Sequence, residues 1–328
     1  MTTEKGSKSL TIARSKRLTR RVFCQAAACV LLLSTLLLPA GARAADSLHI
    51  LAATYPAYLA TLTAVQGIDN VDCDLLVAAS RGCPHDYAMS PQDRMKLESA
   101  QVLVLNGAGF EPFLDENLLA SLKALKIEAG KGLPELAQIE PLAGPGHDHG
   151  HGDGAGNPHY FSSPVRFSHM VSTIALDLSE EFPALKDALQ ANALAFAKKA
   201  QALEKEMDAL SGARVQVVLQ HDTLAWFFHD MHLPVEAVLQ QGSEEGPSPA
   251  LLLALAGRIR KDGAPCLLVS EPQFAGKSLD VLARETSAAR VELDPVVTGP
   301  VTFKGTAADY YLTVMQANIS AVRAALTK

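Results

Sequence analysis

The sequence lacks the features that mark several large classes of protein. Its longest apolar run, ACVLLLSTLLLPAGA, is too short for a confident membrane-spanning helix. The H-E-x-x-H motif of zinc hydrolases, the G-x-S-x-G motif of serine hydrolases and any matched Cys/His signature are absent. The segment NGAGFEP has proline at position 112, where a dinucleotide fingerprint needs its third glycine. These absences argue against an enzyme and against a dinucleotide-binding protein.

Basic residues are scarce outside the N-terminus. Residues 1–44 hold eight of the 29 Lys/Arg and one of the 35 Asp/Glu, so the rest of the chain carries 21 − 34 = −13 charges. Nucleic-acid phosphates demand basic surface, so a nucleic-acid partner is excluded and cations are favoured. Cysteine is also scarce after residue 44, where only Cys73, Cys83 and Cys266 remain. An odd number in an exported chain leaves at least one thiol without an intramolecular partner.

The N-terminus has the composition of an export signal. Its basic start is followed by the apolar run and then by Ala-Arg-Ala before Ala45. This order is typical of a secretory signal peptide over residues 1–44, which predicts a periplasmic protein. The stretch TRRVF also fits a twin-arginine signal, so both the Sec and the twin-arginine routes remain open.

The remaining chain alternates strand and helix patterns. This alternation predicts an α/β fold with parallel sheets, and its interruption in the middle predicts two α/β lobes. No short fixed repeat is evident, which argues against a solenoid. The predicted strands lie at 47–53, 71–77, 101–107, 213–220, 234–239, 265–271 and 290–294, and the predicted helices near 57–67, 91–99, 111–124, 223–232, 248–261, 277–288 and 307–326.

A long helix is predicted between the lobes. Residues 183–210 contain no glycine or proline after Pro183, are rich in Ala, Leu, Lys and Glu, and precede Gly212. We interpret this segment as a rigid connector helix, the alternative being a packing helix inside one domain. The predicted organisation is a signal peptide at 1–44, an N-terminal lobe at 45–165, a connecting region at 166–212 and a C-terminal lobe at 213–328.

Three histidines lie in polar segments at or near the ends of predicted strands. His85 follows the strand at 71–77 by a loop, His159 precedes the connecting region, and His221 follows the strand at 213–220. Ligands of open α/β sheets bind outside the carboxyl ends of the strands, so a site built from these three would lie in the cleft between the lobes. Asp294 ends a second-lobe strand on the same edge and is the predicted fourth ligand, although a turn aspartate is an equal alternative.

Imidazole-rich sites favour a particular group of metals. Neutral imidazole binds zinc, copper, nickel and iron, whereas carboxylates shift the preference towards manganese or calcium. Zinc takes four ligands in a tetrahedron, and three histidines leave one position for Asp294 or water. The residues alone therefore predict a divalent metal site without fixing its fourth ligand.

At this level of detail the chain resembles the zinc and manganese solute-binding proteins of bacterial metal ABC transporters. The resemblance covers nearly the whole chain after residue 44. Nine segments in the order of that family carry it: TYPAY (54–58), PHDYAMSPQD (84–93), VLNGAGFEPFLD (104–115), NPHYFSSP (157–164), QHDTLAWFF (220–228), EGPSP (245–249), SEPQF (270–274), LDPV (293–296) and YYLTVMQANISAV (310–322).

The resemblance implies two α/β lobes and a metal held between them by His85, His159, His221 and Asp294. Manganese members usually carry a carboxylate at the position of His221, so the resemblance implies zinc rather than manganese. Three departures are present. Asn157 stands where the family usually has an acidic residue, and YFSS (160–163) stands in place of the aromatic-aspartate pair that follows it. Pro84 stands where some zinc members have an acid directly before the first ligand.

A second group of histidines lies close by in a glycine-rich stretch. Zinc-binding relatives often carry such a loop, here at about 144–156, and we expect it either to collect zinc or to be a solvated linker. Asp86, Asp222 and Glu271 are predicted to orient ligand histidines, because metal sites need hydrogen-bonding partners behind their ligands. The alternative for Asp86 and Asp222 is that each caps the next helix. The loop histidines are His147, His149 and His151.

The predicted function is capture of Zn(II) in the periplasm and its delivery to the permease of an ABC transporter. The predicted protein is a monomer and not an enzyme. The alternatives are a manganese or other divalent-metal binding protein of the same transporter type, a periplasmic zinc hydrolase, and a metal buffer. The absence of a general-base motif speaks against the hydrolase.

Overall fold

The computed structural model describes residues 47–81, 84, 87–134, 156–240, 246–274 and 276–327. The predicted signal peptide lies outside these residues. Within them, no helix combines the length and the apolar character that a membrane crossing requires. The described chain forms two four-stranded sheets in which all pairings are parallel.

The first sheet has the strand order β2-β1-β3-β4. Its central strands β1 and β3 are short apolar runs, as expected for strands that helices cover on both faces. The edge strand β2 instead alternates aspartates with half-buried residues. The elements are β1 (Leu48–Ala52), α1 (Tyr55–Ala64), β2 (Val71–Leu75), α2 (Pro91–Ser99), β3 (Val102–Leu105), α3 (Glu116–Ser121) and β4 (Leu125–Glu128).

The second sheet repeats this winding in the order β6-β5-β7-β8. In each sheet the first strand lies between the second and the third, so the crevice at this reversal of strand order opens at the end of β1 and of β5. The elements are β5 (Gln216–His221), α6 (Ala225–Asp230), β6 (Val235–Gln240), α7 (Pro249–Asp262), β7 (Cys266–Ser270), α8 (Lys277–Thr286) and β8 (Ala289–Glu292).

The predicted long helix is confirmed. A short 3-10 turn at Pro183–Leu185 leads into α5 (Lys186–Asp208), and Gly212 follows with φ = 81°. A second helix, α4 (Pro164–Glu181), precedes it and packs against it, so the chain crosses between the sheets through a pair of helices.

The core of the two lobes is continuous. One cluster of buried apolar side chains includes Ile50 of β1, Val217 of β5 and the inward faces of α4 and α5. The closing helix α9 (Ala307–Leu326) joins it through Tyr311, whose ring stacks on Phe167 at 3.8 Å between centroids. One face of each sheet therefore packs into this shared cluster, while the opposite face of each sheet packs into a separate cluster of its own.

Three elements differ from the prediction. Strand β4 was missed because its sequence LKIE is half exposed and polar, and only Ile127 points fully into the core. Helix α4 was not predicted, although its signal was available, because the buried Phe167, Val171 and Ile174 recur at helical spacing. The predicted helix at 111–124 is confined to α3, since the chain extends again at Leu122 to enter β4.

Candidate metal centre

His221 is the last residue of the central strand β5. Its neighbour on β6 is Gln240, and the chain turns directly after it into a 3-10 turn, Asp222–Leu224. The imidazole is 2% exposed and stacks on the ring of Phe274 at 5.0 Å between centroids. Thr223 holds the ring from the same turn, with its hydroxyl 2.5 Å and its backbone nitrogen 3.3 Å from Nδ1. The strand ladder and the following turn together fix this side chain.

His159 comes from a buried loop of the first half of the chain. It precedes a 3-10 turn, Tyr160–Ser162, that leads into α4. The imidazole is 1% exposed, and the rings of Phe110 and Phe161 meet it edge to face at 5.4 and 5.8 Å. Apolar contacts therefore surround the ring on the side away from the second lobe.

The two histidines meet between the lobes. Their ring centroids are 5.7 Å apart. With Asp222 they form a buried group whose candidate ligand atoms lie within 4.8 Å of one another, and it is the one such group of three or more among the described residues. Two imidazoles and a carboxylate suit zinc and related divalent ions.

Asn157 connects the two halves of this group. Its Oδ1 accepts a hydrogen bond from the backbone nitrogen of His159 at 2.9 Å and lies 3.0 Å from the Nδ1 atom of that ring. Its Nδ2 donates to the backbone oxygen of Asp222 at 3.0 Å and to the Oδ2 atom of the same residue at 3.2 Å. The indole of Trp226 donates to the Asn157 carbonyl at 2.8 Å.

Asp294 follows β8 and lies outside the three-residue group. Asn318 of α9 holds its backbone from both sides, at 3.1 Å to the nitrogen and 2.8 Å to the oxygen. Its carboxylate accepts from the backbone of Val296 at 2.8 Å, and Val296 has an unusual φ of 63°. Its position as the fourth ligand stays a prediction.

Glu271 follows β7 and is 2% exposed. Gln273 donates to its Oε2 at 2.6 Å, whereas no partner is present for its Oε1 among the described residues. Besides burial, repulsion from Asp222 and Asp294 raises the pKa of the Glu271 carboxyl. The three acidic residues predicted for the second lobe therefore lie in one region.

Burial dominates the electrostatics of the site. It raises the pKa of Asp222 to about 7, and it raises the pKa of Glu271 well above its ordinary value, with repulsion from Asp222 adding to the shift. Burial also raises the pKa of Asp294, while the bond from the Val296 backbone opposes the shift. Negative charge is thus costly here unless a cation compensates it.

The loop of His159 is supported by a chain of contacts that was not predicted from the sequence. Asn106 follows β3, and its Nδ2 donates to the carbonyl of Pro158 at 2.9 Å. The backbone nitrogens of Asn106 and Gly107 donate to the buried Glu111 at 2.7 and 3.2 Å. Burial raises the pKa of Glu111 to about 7. The signal was available in NGAGFEP, which combines a glycine-rich turn with an acid in otherwise apolar surroundings.

Several predicted residues lie outside the described part of the chain. They include the first predicted ligand and the whole His-rich stretch. Pro84, which precedes that first ligand, is described and buried, and it lines a small cavity with Thr54, Phe110 and Val297. The residues outside the description are His85, Asp86, His147, His149 and His151.

The chain matches one family model and is similar to several known proteins. The family described as zinc-uptake complex component A, periplasmic (ZnuA), matches residues 50–325. The zinc-binding lipoprotein AdcA of Streptococcus pneumoniae serotype 4 is 28% identical over 289 residues, which cover 86% of this chain and 56% of that protein. The chain thus spans about half the length of this relative.

Two solved structures share the fold over almost their whole length. A crystal structure of ZnuA has a TM-score of 0.67 and 26% identity, covering 85% of this chain and 99% of that one. The solute-binding protein FpvC of Pseudomonas aeruginosa in complex with Mn2+ has a TM-score of 0.70 and 26% identity, covering 85% and 98%. Both likenesses span the two sheets and the helices between them.

Proposed function

The chain belongs to the family of ZnuA, the periplasmic component A of zinc-uptake complexes, and from this membership we propose that it captures Zn(II) and delivers it to an ABC permease. In this proposal the protein is an extracytoplasmic binding protein and zinc is its cargo. It works in the periplasm, which it reaches through the signal peptide at 1–44 by the Sec or the twin-arginine route.

The strongest support for zinc binding is the pair of buried histidines between the lobes. His159 from the first half of the chain and His221 from the second are both almost fully buried, and their rings lie 5.7 Å apart. Two imidazoles beside a buried carboxylate, Asp222, form a costly arrangement unless they hold a cation. A divalent ion between the lobes supplies that compensation.

We propose His85, His159, His221 and Asp294 as the zinc ligands, with Asp86, Asp222 and Glu271 orienting them. Pro84 supports the inclusion of its neighbour, because it lines a cavity with Phe110, whose ring contacts His159. The place of Asp294 just after β8, at the end of a second-lobe strand, supports an acidic ligand from this lobe.

The donor set favours zinc. Three imidazoles suit zinc better than manganese, which prefers oxygen ligands. The manganese alternative rests on the likeness to FpvC, which was solved with Mn2+. Ligand imidazoles must be neutral, so zinc affinity is expected to fall as the pH drops below about 6.5.

In this proposal the lobes span 45–165 and 213–328 and are joined by 166–212. The protein acts as a monomer without catalytic activity. The His-rich stretch at about 144–156, with His147, His149 and His151, collects zinc for the buried site. A zinc hydrolase is less well supported, because no general-base motif is present in the sequence, and a metal buffer is the remaining alternative.

The test counts bound metal in the mature protein without residues 147–153. After equilibration with equal zinc and manganese and removal of free metal, mass spectrometry is expected to find about one zinc and no manganese. The substitution His221→Ala should abolish retention, while His49→Ala, whose ring pairs with Asp74 away from the site, should not. Retained manganese would move the assignment to manganese transport, and no retained metal would overturn the buried site.

A further inference from the structure

The amide of Asn157 contacts both halves of the candidate metal centre. It is 1% exposed, and all four polar contacts of its side chain go to His159 or Asp222. A buried amide needs partners, but partners elsewhere would satisfy it equally well. Their concentration on the two ligand-bearing segments indicates a role in the site itself.

The orientation of the amide is fixed by backbone atoms. The backbone nitrogen of His159 can only donate, so the atom it contacts at 2.9 Å must be the amide oxygen. The backbone oxygen of Asp222 can only accept, so the atom 3.0 Å from it must be the amide nitrogen. The usual ambiguity between Oδ1 and Nδ2 is therefore removed by two independent contacts.

This orientation determines the tautomer of His159. Its Nδ1 lies 3.0 Å from the amide oxygen, which can only accept. A neutral imidazole makes this hydrogen bond only when Nδ1 carries the proton. The lone pair is then on Nε2.

We propose that Asn157 is a positioning residue that holds His159 as the Nδ1–H tautomer and so presents Nε2 to the metal. This inference deepens the proposed function and rests on it for the identity of the metal. An acid at this position could also accept from Nδ1, but it could not donate to Asp222. An amide does both, and so joins the loop of His159 to the turn after His221.

Trp226 of the second lobe holds the backbone of Asn157. Its indole donates to the Asn157 carbonyl at 2.8 Å and is 1% exposed. The guanidinium of Arg166 lies 3.5 Å above the indole ring and donates to Asp230 at 2.7 Å. The backbone of Asn157 is therefore anchored to the second lobe, which limits the rotation of its amide.

The experiment reads the tautomer in zinc-free protein by the nitrogen chemical shifts of His159 at a pH where the ring is neutral. The wild type and Asn157→Asp should both show protonated Nδ1, because both residues offer an acceptor oxygen there. The substitution Asn157→Leu should produce a mixture of tautomers. It should also weaken zinc binding by about 10- to 100-fold, the effect typical of losing a ligand's hydrogen-bonding partner, while Asn157→Asp should retain affinity within about tenfold.

The matched control is Asn192→Leu, which removes an amide that donates to the carbonyls of Ala64 and Gln66. It should change neither the tautomer nor the affinity. Protonated Nε2 in the wild type or in Asn157→Asp would overturn the inference, and so would unchanged tautomer and affinity in Asn157→Leu. If Asn157→Leu does not fold, the first two proteins decide. Absence of zinc binding by the wild type would refute the proposed function but not the tautomer assignment, so the two failures are distinguishable.

Discussion

The two lobes have the same winding but hold their histidines in different ways. The second lobe carries His221 on the end of its central strand, where the ladder to β6 and the turn of Thr223 fix it. In the first lobe the equivalent strand β1 ends without a histidine, and His159 comes from a loop beyond the sheet. The hydrogen bonds to the ring of His221 thus come from the turn directly after it, whereas the loop that carries His159 is also held by residues far away in sequence.

The difference separates local from long-range support. The loop of His159 is held by Asn106, which is 52 residues from Pro158, and by Trp226, which is 69 residues from Asn157. Changes in the first lobe or at the lobe contact should therefore affect His159 more than His221. The following predictions test this contrast in order of decreasing effect.

The largest effect is expected from removing either imidazole. Because a zinc site of four ligands binds with roughly 10–16 kcal/mol, losing one ligand should weaken binding by about a hundred- to a thousand-fold. Competition titration with a chelator of known affinity measures this for His159→Ala and His221→Ala. A loss confined to one of the two variants would show that the rings do not share a metal.

Replacing Glu111, which supports the loop of His159 through Asn106, should change how the free energy of unfolding depends on pH. Glu111 has a pKa raised to about 7, so the stability due to its protonated form is present below pH 4.5 and is lost as the pH rises through about 7. The zinc-free protein should therefore lose unfolding free energy over this range. Glu111→Gln should remove a part of this loss on the order of 3 kcal/mol.

Urea denaturation at pH 5 and pH 7.5 measures the effect. The control is Glu180→Gln, on an exposed position of α4. An identical decline in the wild type and in Glu111→Gln would refute the assignment of this dependence to Glu111.

The lobe contact can be weakened by Trp226→Phe. This change removes the donor to the buried Asn157 carbonyl and should lower the unfolding free energy by about 1–3 kcal/mol. Zinc affinity should fall as well, because the loop of His159 loses an anchor. Phe228→Leu removes buried volume from the same helix without a polar contact, so it should lower stability but not affinity. Equal affinity in both variants would contradict the long-range support of His159.

The smallest effect concerns the loop after β8 in the second lobe. Val296 and Val297 are both buried, but only Val296 has a positive φ, which costs a β-branched residue about 1–2 kcal/mol. Val296→Gly should therefore destabilise the protein less than Val297→Gly by this amount. Thermal unfolding of the two variants measures the difference, and an equal loss would mean that Val296 is not strained.

The contrast between the two histidines also explains which features of the candidate site could be predicted from the sequence. His221 was predictable because an apolar strand pattern ends in QHD, and strand ends mark ligand sites in parallel sheets. The long helix α5 was predictable from its composition. His159 as a candidate followed from its polar segment and from family resemblance, but its contacts did not, because Asn106 and Trp226 are distant in sequence.

Other features depended on tertiary context. Strand β4 is defined by its pairing with β3, from Val102↔Leu125 to Leu105↔Glu128, and its own sequence is too polar to reveal it. In the sequence, Asn157 stands out only because the family usually has an acid at this position. In the structure its amide contacts Asp222 of the second lobe, so an acid at position 157 would face another acid.

The continuous apolar interior has a consequence for dividing the chain. A fragment ending before β5 would lack α9, and Phe196 of α5 would lose its contact with the ring of Tyr311. Neither half is therefore suited to separate expression, and limited proteolysis between the sheets should yield insoluble pieces instead of stable ones. The two halves behave as one folding unit, although each contains a complete sheet.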